Sequence, residues 1–181
     1  MPDSSISTSS TLFHIHCTRA HRLKQMAANT GQMGYLPSGG SIFCTIPDIL
    51  YLPEFLCGGV VWCLIAATHI WSENPIAYVI TVSLLCFVMT FLWMIIFASG
   101  AHHNKGSWAS ADVAYHAFAA LLYLSASVLL AKVTIDLQGG ASFEPFGLYY
   151  RLDIAAVVFS FFTTLLYFIH TIFSAVRWKS F

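Results

Sequence analysis

Apolar residues gather into four long stretches, separated by shorter polar interruptions. They run from about Ile49 to Ile70, Pro75 to Ala101, Trp108 to Ala131 and Ile154 to Val176. Each exceeds the ~20 residues that a helix, rising 1.5 Å per residue, needs to cross the hydrocarbon core. None alternates strictly between apolar and polar, as a barrel strand would. Hydrocarbon offers an unpaired backbone group no partner, so the pattern predicts four continuous transmembrane helices. The second stretch is the clearest, because no Asp, Glu, Lys or Arg occurs between Glu73 and Lys105.

The interruptions set the topology. The connections Trp71–Asn74 and His102–Ser107 are short and force neighbouring helices to be adjacent and antiparallel. A third connection of about twenty residues, Lys132 to Leu152, contains Gly139, Gly140, Pro145 and Gly147 and is expected to be a loop at the membrane face. The fold class is therefore an all-α membrane protein, a four-helix antiparallel bundle over residues 45–179. A flexible leader, 1–44, precedes it and a short tail, 177–181, ends it. The leader is rich in Ser and Thr and lacks the apolar core of a signal peptide. Met26 is a second possible start.

Composition supports the same class. Hydrophobic residues make up 57% of the chain and charged residues 9%, with a mean hydropathy of +0.72. Soluble domains carry about 25% charged residues, so this chain cannot clothe a soluble surface. Eight basic residues balance eight acidic ones, which removes the electrostatic basis for binding nucleic acid. Arg19, Arg22, Lys24, Lys105, Arg177 and Lys179 fall on one side of the bundle, Lys132 and Arg151 on the other. The excess of positive charge predicts that both termini are cytoplasmic. Trp71, Trp108, Trp178, Tyr149 and Tyr150 then fall at water boundaries, where amphipathic rings prefer to sit.

Three ionisable residues inside or beside the spans are the candidates for chemistry: Glu54, Asp112 and His116. Asp112 and His116 are spaced i, i+4 and share a helix face, as a proton relay or cation site would require. The structural reading puts Asp112 in a first turn behind a Ser110 cap, where a carboxylate complements exposed N–H groups. Thr45 and Asp48 have capping-box spacing, which predicts a helix start near Ile46. Pro53 then either kinks that helix or begins a new one, with Glu54 in its first turn. His170 stands alone and is expected to be structural. His14, His16, Cys17 and His21 resemble no zinc module, so no metal site and no cofactor are expected. Cys57, Cys63 and Cys86 lie within spans. Cys17 and Cys44 lie in the leader, and Cys44, just before the first span, is a candidate for palmitoylation. No nucleophile–base set or phosphate loop is present, so no enzymatic activity is expected.

Small residues form the remaining pattern. Gly58, Gly59, Ala66 and Ala67 mark one thin face of the first helix, and Ala156, Ser160 and Thr164 repeat every four residues on the fourth. Such faces let backbones approach and associate helices within lipid, closing the bundle, joining copies into a homo-oligomer or ordering lipid. With 15 Phe and 5 Trp, the body is suited to sorting lipids by thickness and order.

The residues then resemble a known family. Thr45-Ile46-Pro47-Asp48, Glu54-Phe55, Gly58-Gly59-Val60-Val61-Trp62 and Ala66-Ala67-Thr68-His69 match it in order. So do Asp112, Tyr115-His116, Leu122 to Val128, Ala155 to Ser160 and the tail Arg177-Trp178-Lys179-Ser180. From about Leu36 to Ser180 the chain is similar to the MAL proteolipids, the four-span group with BENE and plasmolipin that carries the MARVEL domain. That resemblance implies a proteolipid of cholesterol- and sphingolipid-rich membrane rafts, associated with other raft proteins in the plasma membrane and vesicles. It also implies roles in vesicle trafficking, apical sorting and myelin, with Arg177, Trp178, Lys179 and Ser180 as the sorting tail. The final Phe181 departs from the serine ending of that tail. The alternative reading is an oligomeric channel or proton pathway through Glu54, Asp112 and His116.

Overall fold

Proline and glycine punctuate this chain, and the structure, a computed structural model, describes residues 35–68, 74–138 and 146–181. Four helices follow one another: α1 (Tyr51–Ala67), α2 (Asn74–Ser99), α3 (Gly106–Leu137) and α4 (Phe146–Trp178). Two 3-10 segments, Gly39–Cys44 and Asp48–Leu50, precede them. All four helices are long and apolar enough to cross a membrane, and the described residues contain no strand.

The start of α1 differs from the expected capping box. Thr45 Oγ1 donates backwards to the Ser41 carbonyl at 2.6 Å, and Asp48 caps nothing. The α-helix begins instead at Tyr51, with Pro53 in its first turn, where its missing N–H is not needed. From there Tyr51, Glu54, Gly58, Val61 and Ile65 recur every three or four residues as one buried stripe.

Gly100 closes α2 with φ of 73°. Its N–H bonds the Phe97 carbonyl and the Ala101 N–H bonds that of Ile96, the paired bonds of a left-handed helix terminus that favours glycine. Asn104, also left-handed, accepts the Leu36 N–H on Oδ1 at 2.7 Å. Beside it the His102 ring lies 3.1 Å from the Pro37 carbonyl. Phe181 reaches the start of α3 at Gly106. The residues before α1, the α2–α3 turn and the chain end thus gather at one end of the bundle.

Helices α3 and α4 exceed the apolar stretches that predicted them. At 32 residues α3 is about 48 Å long, well beyond the ~30 Å hydrocarbon core. The expected loop from Lys132 to Leu152 is therefore mostly helix, and only 138–145 lies between the two. Leaving hydrocarbon does not break a helix whose backbone bonds are internal. An apolar window detects the lipid-facing length, and polar residues such as Lys132 and Asp136 continue the same helix, paired at 2.6 Å.

Around the bundle each helix packs on its chain neighbours, α3 above all on α4, and α1 closes against α4. Ala119, Ala120 and Ala126 on α3 and Ala156 on α4 are buried and allow a close approach. Within this seam Ser127 bonds Ser160, with Thr164 at 3.3 Å. On α1, Gly58 faces inward: a Cβ there would lie 3.1 Å from the Tyr123 hydroxyl. Gly59 faces α2 instead, beside Phe87. Ala66 is half-buried and Ala67 exposed, so the thin face of α1 does not reach the helix end. Apolar side chains cover the exterior on every helix, among them Leu56, Phe91, Leu121, Val158 and Phe168.

Candidate functional site

The interior concentrates its charged groups at the end where the segment before α1 meets the end of α4. Three helices contribute, each through its inward stripe. Tyr51 and Glu54 come from α1, Asp112 and His116 from α3, and His170, Ser174 and Arg177 from α4. Asp48 joins from the 3-10 segment. All except Arg177 are essentially without exposed surface, and Arg177 retains 9%.

Arg177 is the hub. Its Nη1 lies 2.7 and 2.8 Å from the two Asp48 oxygens, and its Nη2 lies 2.8 Å from Asp112 Oδ2. The guanidinium also lies over the Phe97 ring at 5.4 Å, a favourable cation–π placement. Asp112 is satisfied on both oxygens: the Tyr51 hydroxyl donates to Oδ1 at 2.6 Å and the Ser174 hydroxyl to Oδ2 at 2.5 Å. This placement corrects the capping reading of Asp112. Helix α3 begins at Gly106, so Asp112 lies in the second turn, and Ser110 bonds the Ser107 carbonyl instead.

Deeper by one layer lie Glu54, His116 and His170. Glu54 occupies the expected first turn of α1, yet at full burial rather than at an interface. His170 Nδ1 lies 2.9 Å from Glu54 Oε1, and His116 Nε2 lies 3.4 Å from Glu54 Oε2. The two imidazoles stack with centroids 3.6 Å apart, and Tyr51 packs against both. His170 is therefore not the isolated residue that the sequence suggested. Among the described residues, Glu54, His116 and His170 are the ones close enough together to hold a cation. Below them lies a layer of neutral hydroxyls, with Thr90 bridging Tyr115 and Tyr167 at 2.8 and 2.7 Å.

The structure thus joins Glu54, Asp112 and His116 to Asp48, His170 and Arg177, which sequence had read as part of a cap, an isolated residue and part of a sorting tail, and to Tyr51 and Ser174, which it did not single out. A signal was available on α4: Ser160, Thr163, Tyr167, His170, Ser174 and Arg177 recur at three- and four-residue spacing along one face. Extending that stripe past the last apolar residue brings Arg177 into phase. The tail is accordingly divided: Arg177 points into the bundle, and Trp178, Lys179 and Ser180 are exposed. Cys44 is disulfide-bonded, so in this structure its sulfur is engaged and not free for the acyl chain expected there. His14, His16, Cys17 and His21 lie outside the described residues, as does Trp71. At the other end of α4, buried Asp153 has no hydrogen-bond partner on either carboxylate oxygen.

Comparison with known proteins agrees with this architecture. Residues 42–173 match the MARVEL family model, described as a membrane-associating domain. The human myelin and lymphocyte protein is 47% identical over 154 residues, covering 85% of this chain and 97% of that relative. The dog protein of the same name is 46% identical over 80% of this chain and 92% of its own length. Human CKLF-like MARVEL transmembrane domain-containing protein 8 is 27% identical over 75% of this chain and 76% of its own. No solved structure matches.

Proposed function

The chain belongs to the MARVEL family, among the MAL proteolipids, and from that premise we propose that it is a non-enzymatic organiser of cholesterol- and sphingolipid-rich membrane. On this reading it works in plasma-membrane rafts and trafficking vesicles, with both termini cytoplasmic. Vesicle trafficking and apical sorting are its settings, with raft-associated membrane proteins and further copies of itself as partners. The name of the human relative refers to myelin, and we extend a structural role in myelin to this chain.

One observation carries the reading. Apart from Asp153, the buried charged and imidazole groups are gathered inside at one end, and large apolar side chains cover the outer surface of the described residues. The working surface is then the one that touches lipid. An apolar groove of about 350 Å³ opens on that surface between α1 and α2, floored by Gly59 and walled by Phe55, Leu56, Val60 and Phe87. Missing side-chain volume at Gly59 gives lipid a place to pack, and rigid lipids profit most from a fitted surface.

A proton or ion pathway through Glu54, Asp112 and His116 is the second reading, favoured by their meeting at one point. Against it stands the layer below, where the linked hydroxyls of Thr90, Tyr115 and Tyr167 meet the Cys86 carbonyl among buried Ala119, Ala126 and Leu130.

Reconstitution in giant vesicles with coexisting ordered and disordered phases tests the first reading. The wild-type chain is expected in the cholesterol- and sphingomyelin-rich phase. Gly59→Leu, which fills the groove beside the half-buried Phe87 ring, is expected to shift it towards the disordered phase while the chain stays folded. Wild-type exclusion from the ordered phase refutes the proposal. Proton flux in the same vesicles, lost in Asp112→Asn, would establish the pathway instead.

A further inference from the structure

The polar cluster contains a gap in its hydrogen bonding, and the gap has a definite shape. His116 Nδ1 lies 2.8 Å from the Asp112 carbonyl oxygen. A carbonyl can only accept, so Nδ1 carries a hydrogen, and in the neutral ring Nε2 then carries the lone pair. His170 Nδ1 faces Glu54 Oε1 at 2.9 Å, and the same reasoning leaves its Nε2 with a lone pair. His116 Nε2, His170 Nε2 and Glu54 Oε2 are all buried, and none has a hydrogen-bond partner. One ligand atom from each residue can be chosen with every separation within 4.8 Å. Electron-pair donors from three residues thus converge at full burial, and an atom on each lacks the partner that would offset its desolvation.

Charge makes the same point. Asp48, Glu54 and Asp112 are three carboxylates, and Arg177 is the one guanidinium that meets them. Two formal negative charges remain when both imidazoles are neutral. Protonating both would place like charges on rings stacked 3.6 Å apart. A single divalent cation supplies the same charge without that repulsion.

We propose that Glu54, His116 and His170 form a buried binding site for a divalent transition-metal ion, with zinc the best match. Two imidazole nitrogens and one carboxylate oxygen suit zinc, whereas magnesium and calcium demand oxygen-rich sets. The outer shell is in place as well. His116 gives its Nδ1–H to a backbone carbonyl, the usual arrangement behind a histidine that ligates through Nε2. Asp112 Oδ2 lies 4.0 Å from His170 Nε2 and is held by Arg177 and Ser174. Because the ligands come from α1, α3 and α4, the ion would clamp three helices together, and binding energy would become folding energy. This inference is independent of the lipid reading.

The test uses the full-length chain in mild detergent, stripped with a chelator and titrated with zinc, then with cobalt as a coloured substitute. About one ion per chain is expected, with a zinc-dependent rise in Tm and visible cobalt bands of nitrogen–oxygen coordination. Glu54→Gln and His170→Gln should each weaken binding by more than about tenfold, since even outer-shell losses reach that size. A chain with His14, His16 and His21 replaced by Ala should bind as wild type does. Should the ligand variants fail to fold, the wild-type cobalt spectrum and Tm shift decide alone. No uptake by the wild type, an unmoved Tm, or uptake that vanishes with the leader histidines overturns the proposal.

Discussion

Replacing Arg177 by Met separates two views of the same residue. If Arg177 belonged to an exposed sorting signal, its loss would redirect the protein and leave its stability untouched. In the structure its guanidinium holds Asp48 at 2.7 and 2.8 Å and Asp112 at 2.8 Å, with both carboxylates fully buried. Removing one partner of such a network strands the other charges in a low-dielectric interior, a loss of about 3–5 kcal/mol. A chain of this size shifts by roughly 2–4 °C per kcal/mol. Arg177→Met should therefore lower Tm by about 6–20 °C. Arg177→Lys should recover part of this, because one ammonium cannot match the fork that meets Asp48 and Asp112 together. Adding Asp48→Asn to Arg177→Met should cost less than the two single losses combined, since it removes one of the stranded charges. The assay is thermal unfolding of the purified protein in mild detergent, followed by tryptophan fluorescence. A Tm for Arg177→Met within about 2 °C of wild type, under 1 kcal/mol on that scale, would refute the reasoning and return Arg177 to the surface.

Other consequences follow from the same coordinates. Gly58→Ala places a Cβ 3.1 Å from the hydroxyl of the buried Tyr123. It should destabilise by about 1–3 kcal/mol, and a Tm unchanged from wild type would contradict the packing. Asp153 is buried with no partner on either oxygen, so Asp153→Leu should raise stability by about 1–3 kcal/mol; a fall of that size would reveal a partner for the carboxylate. Burial depresses the pKa of His102, in the α2–α3 turn, despite its bond to the Pro37 carbonyl. The Asn104 N–H donates to its Nδ1 at 3.1 Å, and protonation would break that bond. The turn should be fully stable above about pH 6.5 and loosen as pH falls below it, where the unfolded chain binds a proton that the folded chain resists. Hydrogen exchange at the Leu36 amide reads this directly, and flat protection (after correction for intrinsic exchange) from pH 7 to 5 would exclude it.

How much of the site was legible in sequence depends on the residue. Glu54, Asp112 and His116 stood out because a titratable group in an apolar stretch is costly. Their partners did not stand out, for different reasons. Arg177 and Asp48 lie at the ends of spans, where a charge is ordinarily solvated, so charge alone carried no message. His170 appeared isolated because its partners, Glu54 and His116, are 116 and 54 positions away. The capping readings of Asp48 and Asp112 gave way to a buried ion pair with Arg177 on a distant helix, and that of Ser110 because α3 already begins at Gly106.

The sequence by itself determined four membrane-crossing helices, their antiparallel order and an apolar exterior. Length and hydropathy act locally, and lipid permits a lone span almost no other structure. Only the tertiary structure decided which way the polar residues turn. That depends on the rotation and register of α1, α3 and α4 about one another, set by close approaches such as Gly58 to Tyr123 and Ser127 to Ser160. A shift of one residue in α1, α3 or α4 turns its stripe by about 100° and would part the ionisable residues it carries from their partners on the other two.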